Sequence, residues 1–221
     1  VLGTTEEENQ AMICDTTRYL KENGREVIYD AEHFFDGYKD SPEHALATLM
    51  AAKEGGADWV VLCDTNGGTM PHEAGKITEI VMREIGIPVG IHTHNDTGVA
   101  VANALASVNS GATQVQGTVN GYGERVGNCN LTTVIPNLQL KMDRPVIEDV
   151  SRLTHLAHFV DDLANCSHNI RAPYVGATAF AHKGGMHVNA VQKVAHSFEH
   201  IEPKTVGNRQ RILVSELSGQ S

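Results

Sequence analysis

Basic residues are scarce in this chain: 17 Lys and Arg stand against 27 Asp and Glu in 221 residues, a net charge of -10. Neutralising phosphates needs a basic stripe, and with none available nucleic acid is excluded as a partner. Cysteines are few and far apart. Cys14, Cys63, Cys129 and Cys166 form no C-x-x-C, which excludes a zinc knuckle and a disulfide framework and fits a reducing cytoplasm. No apolar run approaches the roughly 20 residues of a membrane span, and no signal peptide opens the chain. There is no initiator Met either; Val1-Leu2-Gly3 reads as the end of an element already under way. What is present is 41% hydrophobic residues, enough for a sizeable core and suited to small-molecule chemistry.

Turn and cap signals divide the chain into repeating units. Thr4-Thr5-Glu6-Glu7-Glu8 is a hydroxyl cap with acids behind it, opening a helix that runs to Gly24. Ser41-Pro42-Glu43 opens a second helix with Pro at its first position, ending at Gly55-Gly56, and Pro71 opens a third, closing near Gly86. Val99 to Val108 and Leu131 to Leu140 read as two more. Between them lie short strand-like runs: Val27-Ile28-Tyr29, Trp59 to Cys63, Ile87 to Ile91 and Gln114 to Val119. Strand starts near 26, 58, 88 and 114 give a period of roughly 30 residues, the βαβ signature of a parallel sheet.

Every strand delivers polar residues at its C-terminal end: Asp30 and Glu32, Asp64 and Thr65, His92 and His94, then Asn120. No clean G-x-G-x-x-G opens a helix after a first strand, so a dinucleotide-binding sheet is disfavoured against a (β/α)8 barrel. Four units occupy about half of such a barrel, which typically takes about 250 residues. The fold expected is therefore α/β, half of a TIM barrel over residues 1–142 followed by a mostly helical region over 143–221. Within the latter, Ile147, Val150, Leu153, Leu156, Phe159, Val160 and Leu163 predict an amphipathic helix over 146–165, and 171–176 reads as an extended connector.

Gly90-Ile91-His92-Thr93-His94-Asn95-Asp96 carries the chemistry. Side chains two apart on a strand share a face, so both imidazoles point the same way and make a metal edge. Two histidines alone do not choose among Zn, Mn, Fe, Ni and Cu, and a pair simply hydrogen-bonded in a polar loop satisfies the same spacing. The later loop Gly121-Tyr122-Gly123-Glu124-Arg125-Val126-Gly127-Asn128 favours the metal. Glu124 and Arg125 are expected to pair with each other or with neighbours to shape it. His187, in a Gly-Gly segment, reads on its own as a loop histidine.

Those two stretches, with His182-Lys183-Gly184-Gly185-Met186-His187, resemble the acyl-CoA-dependent Claisen synthases, a family of barrel metalloenzymes that includes 2-isopropylmalate, homocitrate and citramalate synthases. Tyr29 to Gly37 and Leu62 to Thr69 most resemble the citramalate branch, which joins acetyl-CoA to pyruvate for isoleucine biosynthesis. The resemblance implies an enzyme and assigns this chain to strands five to eight of the barrel and to a linker that lies, as a lid, over the site of the partner in a homodimer. It makes His92, His94 and Asn128 ligands of a divalent metal (Mn, Mg or Zn), Thr65 the binder of the keto-acid carboxylate, Glu32 a catalytic carboxylate near the acetyl group, and His187 the catalytic histidine of the lid.

Departures from the family pattern accompany these matches. The family's fourth ligand, an Asp on the first strand beside a catalytic Arg, has no counterpart here. Phe198 stands where many relatives have a tyrosine, so either the phenol's role is dispensable in this branch or His196 or His200 takes it. A 2-isopropylmalate or homocitrate synthase, a lyase cleaving a 3-hydroxy-acyl-CoA, which would place a cysteine in the glycine loop before the asparagine, and a non-catalytic fragment are the alternatives.

Overall fold

A computed structural model of the chain describes residues 3–182, 185–194 and 197–212. The chain folds as two compact units, Val1–Asn130 and Leu131–Ser221. The first contains α1 (Glu6–Glu22), β1 (Ile28–Ala31), α2 (Phe34–Asp40), α3 (Pro42–Glu54), β2 (Trp59–Asp64), α4 (Pro71–Ile85), β3 (Val89–Thr93), α5 (Ala100–Asn109) and β4 (Gln114–Gln116). Its helices begin where the sequence places their signals. Thr5 caps α1 by accepting from the Glu8 amide at 3.2 Å, Pro opens both α3 and α4, and Gly86, at φ 68°, lets the chain leave α4 through a left-handed turn.

The four strands form one parallel sheet in the order β1-β2-β3-β4. Parallel strands need covered faces, and their apolar runs supply the burial. Val60, Leu62, Val89 and Ile91 share one face and are all 0% exposed, together with Leu49 of α3, Val81 of α4 and Ala104 of α5. The other face carries different chemistry. The register sets Cys63 beside His92 and His92 beside Gln116, so these side chains and Asp30 project together. At the β1 edge this face is open to solvent: Ile28 remains 42% exposed.

The sheet is strongly curved. Asp30 and Gln116 lie on its first and last strands, yet Gln116 Nε2 donates to Asp30 Oδ1 at 2.9 Å. A flat sheet, at about 4.8 Å per strand, would hold those backbones roughly 14 Å apart. The curvature is what brings residues from four strands to one site.

The second unit contains α6 (Leu131–Lys141), α7 (Leu153–Leu163), β5 (Ala181–His182), α8 (Gly185–Lys193) and β6 (Arg211–Ile212). Its core is Leu153, Ala157, Tyr174, Val175, Phe180 and Val206. Asn208 ties it together by donating to the carbonyls of Tyr174 and Gly176 at 2.8 and 2.9 Å. Among the described residues no helix is long and apolar enough to cross a membrane.

Three expectations need correction, and one helix is added. The helix expected over 146–165 starts only at Leu153. Before it, the amides of Val146 and Ile147 donate to the Gln139 side chain rather than to a helical turn, and Asp149 caps the short 3-10 turn Val150–Arg152 through the Ser151 amide at 2.7 Å. Residues 171–176 are not extended. They fold back on themselves, with Gly176 N donating to Ala172 O and Tyr174 at φ 64°, because the Tyr174 and Val175 side chains enter the core. The fourth strand ends at Gln116 instead of Val119, since Thr118 turns to pair with Asn130 and Cys129. Helix α2 has no place among the expected elements; Phe34 and Phe35 are buried on it.

Candidate metal centre

His92 is the penultimate residue of β3 and His94 the first after it, and the ring centroids lie 5.3 Å apart on a common face. The glycine loop returns beside them: Asn95 N donates to Gly127 O, Cys129 N to Thr93 O, and His94 bridges Asn128. The Asn128 amide is oriented by its own nitrogen, which donates to the Tyr122 carbonyl at 3.1 Å. That leaves Oδ1 as the free acceptor. Asn128 Oδ1 and His94 Nδ1 are both buried without a hydrogen-bond partner. Orphaned buried acceptors cost on the order of 1–3 kcal/mol each. Two of them next to a second imidazole are a donor set that fits a divalent cation. Burial, then the neighbouring His92 and Arg125, holds the His94 imidazole below its usual pKa, which keeps it neutral as a metal requires. Among the described residues no group of three or more His, Cys, Asp or Glu side chains could hold a metal; the further oxygen that stands beside His94 is Asn128 Oδ1.

Glycine makes this loop possible at two places. A Cβ on Gly123 would overlap the Asn128 amide nitrogen, and a Cβ on Gly127 would overlap the Gly121 carbonyl oxygen. Arg125, at φ 56°, then turns its guanidinium back. It donates to both carboxylate oxygens of Asp96, at 2.7 and 3.0 Å, and to the carbonyl of Thr65 at 2.6 Å. Its partner is therefore Asp96 rather than Glu124, and one side chain joins the loops after β2, β3 and β4.

Thr65 is presented by that clamp. Its hydroxyl accepts from the His33 amide at 2.7 Å, which leaves its own proton to donate. Glu32 is exposed just beyond β1. Burial, together with the charges of Asp30 and Glu32, pushes the Cys63 thiol up to about 12, which sets both carboxylates near the residue that neighbours His92 in the sheet. Buried Cys129, the residue after Asn128, is pushed up to about 11 by burial, so neither thiol is a nucleophile at neutral pH.

The first unit thus brings together five of the six residues singled out in the sequence: Glu32, Thr65, His92, His94 and Asn128. The sixth, His187, belongs to the second unit, on α8, where its ring stacks on Phe198 at 4.4 Å. His200 packs between Tyr174 and Phe180, and burial lowers its pKa. His196 lies outside the described residues. The sequence reading missed Gln116 and the role of Asp96. The signal for the former was there: Gln114-Val115-Gln116 alternates two amides onto the face that bears His92.

Comparison with known proteins supplies the setting. Residues 1–160 match the HMGL-like family model, and residues 174–221 match the homocitrate synthase post-HMGL domain-like model. The chain is 53% identical to the (R)-citramalate synthase of Synechocystis sp. and 57% identical to that of Aquifex aeolicus, with all of this chain and 42% of each relative covered. It spans less than half the length of these relatives. Among solved structures it resembles an HMG-CoA lyase from Bacillus subtilis, with a TM-score of 0.66 at 18% identity over 76% of this chain and 59% of that one. At that identity the likeness speaks for the fold alone, a TIM-barrel type.

Proposed function

The chain belongs to the HMGL-like family, and from that premise we propose that the whole protein condenses acetyl-CoA with a 2-keto acid, pyruvate, to give citramalate. The observation that carries this reading is 46–57% identity to five (R)-citramalate synthases across 97–100% of this chain. The site's chemistry agrees with it. His92, His94 and Asn128 would hold a divalent cation, whose Lewis acidity polarises the keto oxygen when bound. The Thr65 hydroxyl donates to the keto-acid carboxylate. The acetyl methyl is a weak acid, and Glu32 or His187 accepts its proton as the new carbon–carbon bond forms. Hydrolysis of the thioester then releases CoA and makes the condensation irreversible.

The lyase alternative draws no support from the loop, whose cysteine follows Asn128 and is buried as a thiol. We read the four βα units as strands five to eight of the barrel, with the remaining strands covering the open face at Ile28. A homodimer in which His187 reaches the partner's site completes the assembly.

The full-length protein tests this. Supplied with acetyl-CoA and Mn²⁺, it should release CoA thiol faster with pyruvate than with 2-ketoisovalerate or 2-ketoglutarate, and His94→Ala should abolish both turnover and Mn²⁺ binding. A preference for 2-ketoisovalerate would return it to the isopropylmalate branch, and Mn²⁺ binding unchanged in His94→Ala would remove the metal assignment.

A further inference from the structure

The face of the sheet that carries His92 holds a polar chain of three side chains from three strands. His92 Nδ1 lies 2.8 Å from Gln116 Oε1, and Gln116 Nε2 lies 2.9 Å from Asp30 Oδ1. An amide can be turned over without changing its shape, so its orientation has to be argued from its partners. Here Asp30 decides it. A carboxylate only accepts, so the Gln116 nitrogen must face Asp30; the reverse orientation would set two acceptor oxygens 2.9 Å apart. The Gln116 oxygen therefore faces His92, and an oxygen there accepts only if Nδ1 carries the proton. His92 is left with its lone pair on Nε2.

We propose that Gln116 is a positioning residue that fixes the Nδ1–H tautomer and the ring orientation of His92, so that Nε2 is presented as a metal ligand, with Asp30 locking the amide that does so. The proposal rests on the metal reading of the site. Its physical basis is general: a ligating imidazole donates its other N–H to a partner that fixes the tautomer and raises the basicity of the ligating nitrogen, and loss of that partner costs about 10- to 100-fold in metal affinity. The register makes this relay a property of the fold, because Gln116 is the cross-strand neighbour of His92.

The test uses Co²⁺ on the full-length protein, with affinity by calorimetry and the hyperfine-shifted, exchangeable Nδ1–H proton of His92 by NMR, assigned through its absence in His92→Ala. Gln116→Leu should weaken Co²⁺ binding by about 10- to 100-fold and broaden or remove that proton signal. The pair Gln116→Glu with Asp30→Asn should restore both, since the new carboxylate accepts from His92 Nδ1–H and from the side-chain amide introduced on β1, whereas Gln116→Glu alone sets two carboxylates together and should not. Circular dichroism shows whether each variant is folded, and recovery in the pair separates positioning from a mere packing loss. If wild type and His94→Ala bind Co²⁺ alike, the metal reading itself fails. If wild type binds, His94→Ala does not, and Gln116→Leu keeps both the affinity and the shifted proton, only the role of Gln116 is overturned.

Discussion

Arg125 reaches back 60 residues to hold the main-chain carbonyl of Thr65 at 2.6 Å. The same guanidinium is paired to Asp96, so three loops that follow three strands are fixed to one another by a single side chain. A clamp of this kind controls where the Thr65 hydroxyl points. It contributes little to global stability, because an ion pair this close to solvent is screened.

Replacement of Arg125 by Ala is therefore expected to separate two measurements. The melting temperature should hardly move, while KM for the keto acid should rise, and misplacement of a binding group by about 1 Å can cost roughly 100-fold. Arg125→Lys keeps the charge but not the fork that reaches Asp96 and Thr65 together, and should recover only part of the loss. An unchanged KM in Arg125→Ala would show that Thr65 is held by its own loop.

Acid should release the clamp. The hydrogen bond and charge of Arg125 hold the Asp96 carboxyl below the usual carboxylate range. A depressed folded-state pKa stabilises the folded protein fully above the unfolded value of about 3.9, and that contribution disappears as pH falls through the folded value. In low salt, wild type should resist urea slightly better than Asp96→Asn at pH 7, and the gap should close as the pH is lowered below about 4. A gap that widens in acid would mean that Asp96 gains its partner by protonation, the opposite sign.

Much of this architecture is legible in the sequence because its signals are local. Thr5, Pro42, Pro71 and Gly86 mark helix ends by backbone chemistry alone, and the alternation around His92 and His94 fixes which way both rings point. The glycine loop is legible as a unit, although its closeness to His94 is a tertiary fact. What stays hidden depends on partners far along the chain. No spacing rule joins Asp30 to Gln116, 86 residues apart, because their contact arises from the curvature of four strands. Helix α2 and the folded-back segment around Tyr174 are tertiary in the same sense: Phe34, Phe35, Tyr174 and Val175 take the conformation that buries them. Ile147 fits the helical apolar stripe, yet the Gln139 side chain takes its amide and that of Val146 first.

Strands β1 and β4 are the edges of the sheet, and unpaired edges invite association. The 221 residues expressed alone, given Mn²⁺, pyruvate and acetyl-CoA, are expected to release no CoA thiol and to self-associate, and co-expression with the rest of the protein should restore turnover. Turnover by the isolated chain that disappears in His94→Ala would show that these four strands suffice.

Gly123→Ala isolates the contribution of the loop to the centre. A methyl at this position would overlap the Asn128 amide nitrogen. Asn128 can escape only by turning its amide away from the Tyr122 carbonyl, and its Oδ1 then leaves the position beside His94. Mn²⁺ affinity should fall by about 10-fold or more, as for the loss of an outer-shell partner, while the far-ultraviolet circular dichroism stays that of a folded chain. Gly68→Ala is the matched control, because a Cβ there meets nothing within 4 Å. It should bind Mn²⁺ as wild type does. Equal affinity in all three proteins would mean that Asn128 Oδ1 is not a ligand, and that the glycine serves only the turn it sits in.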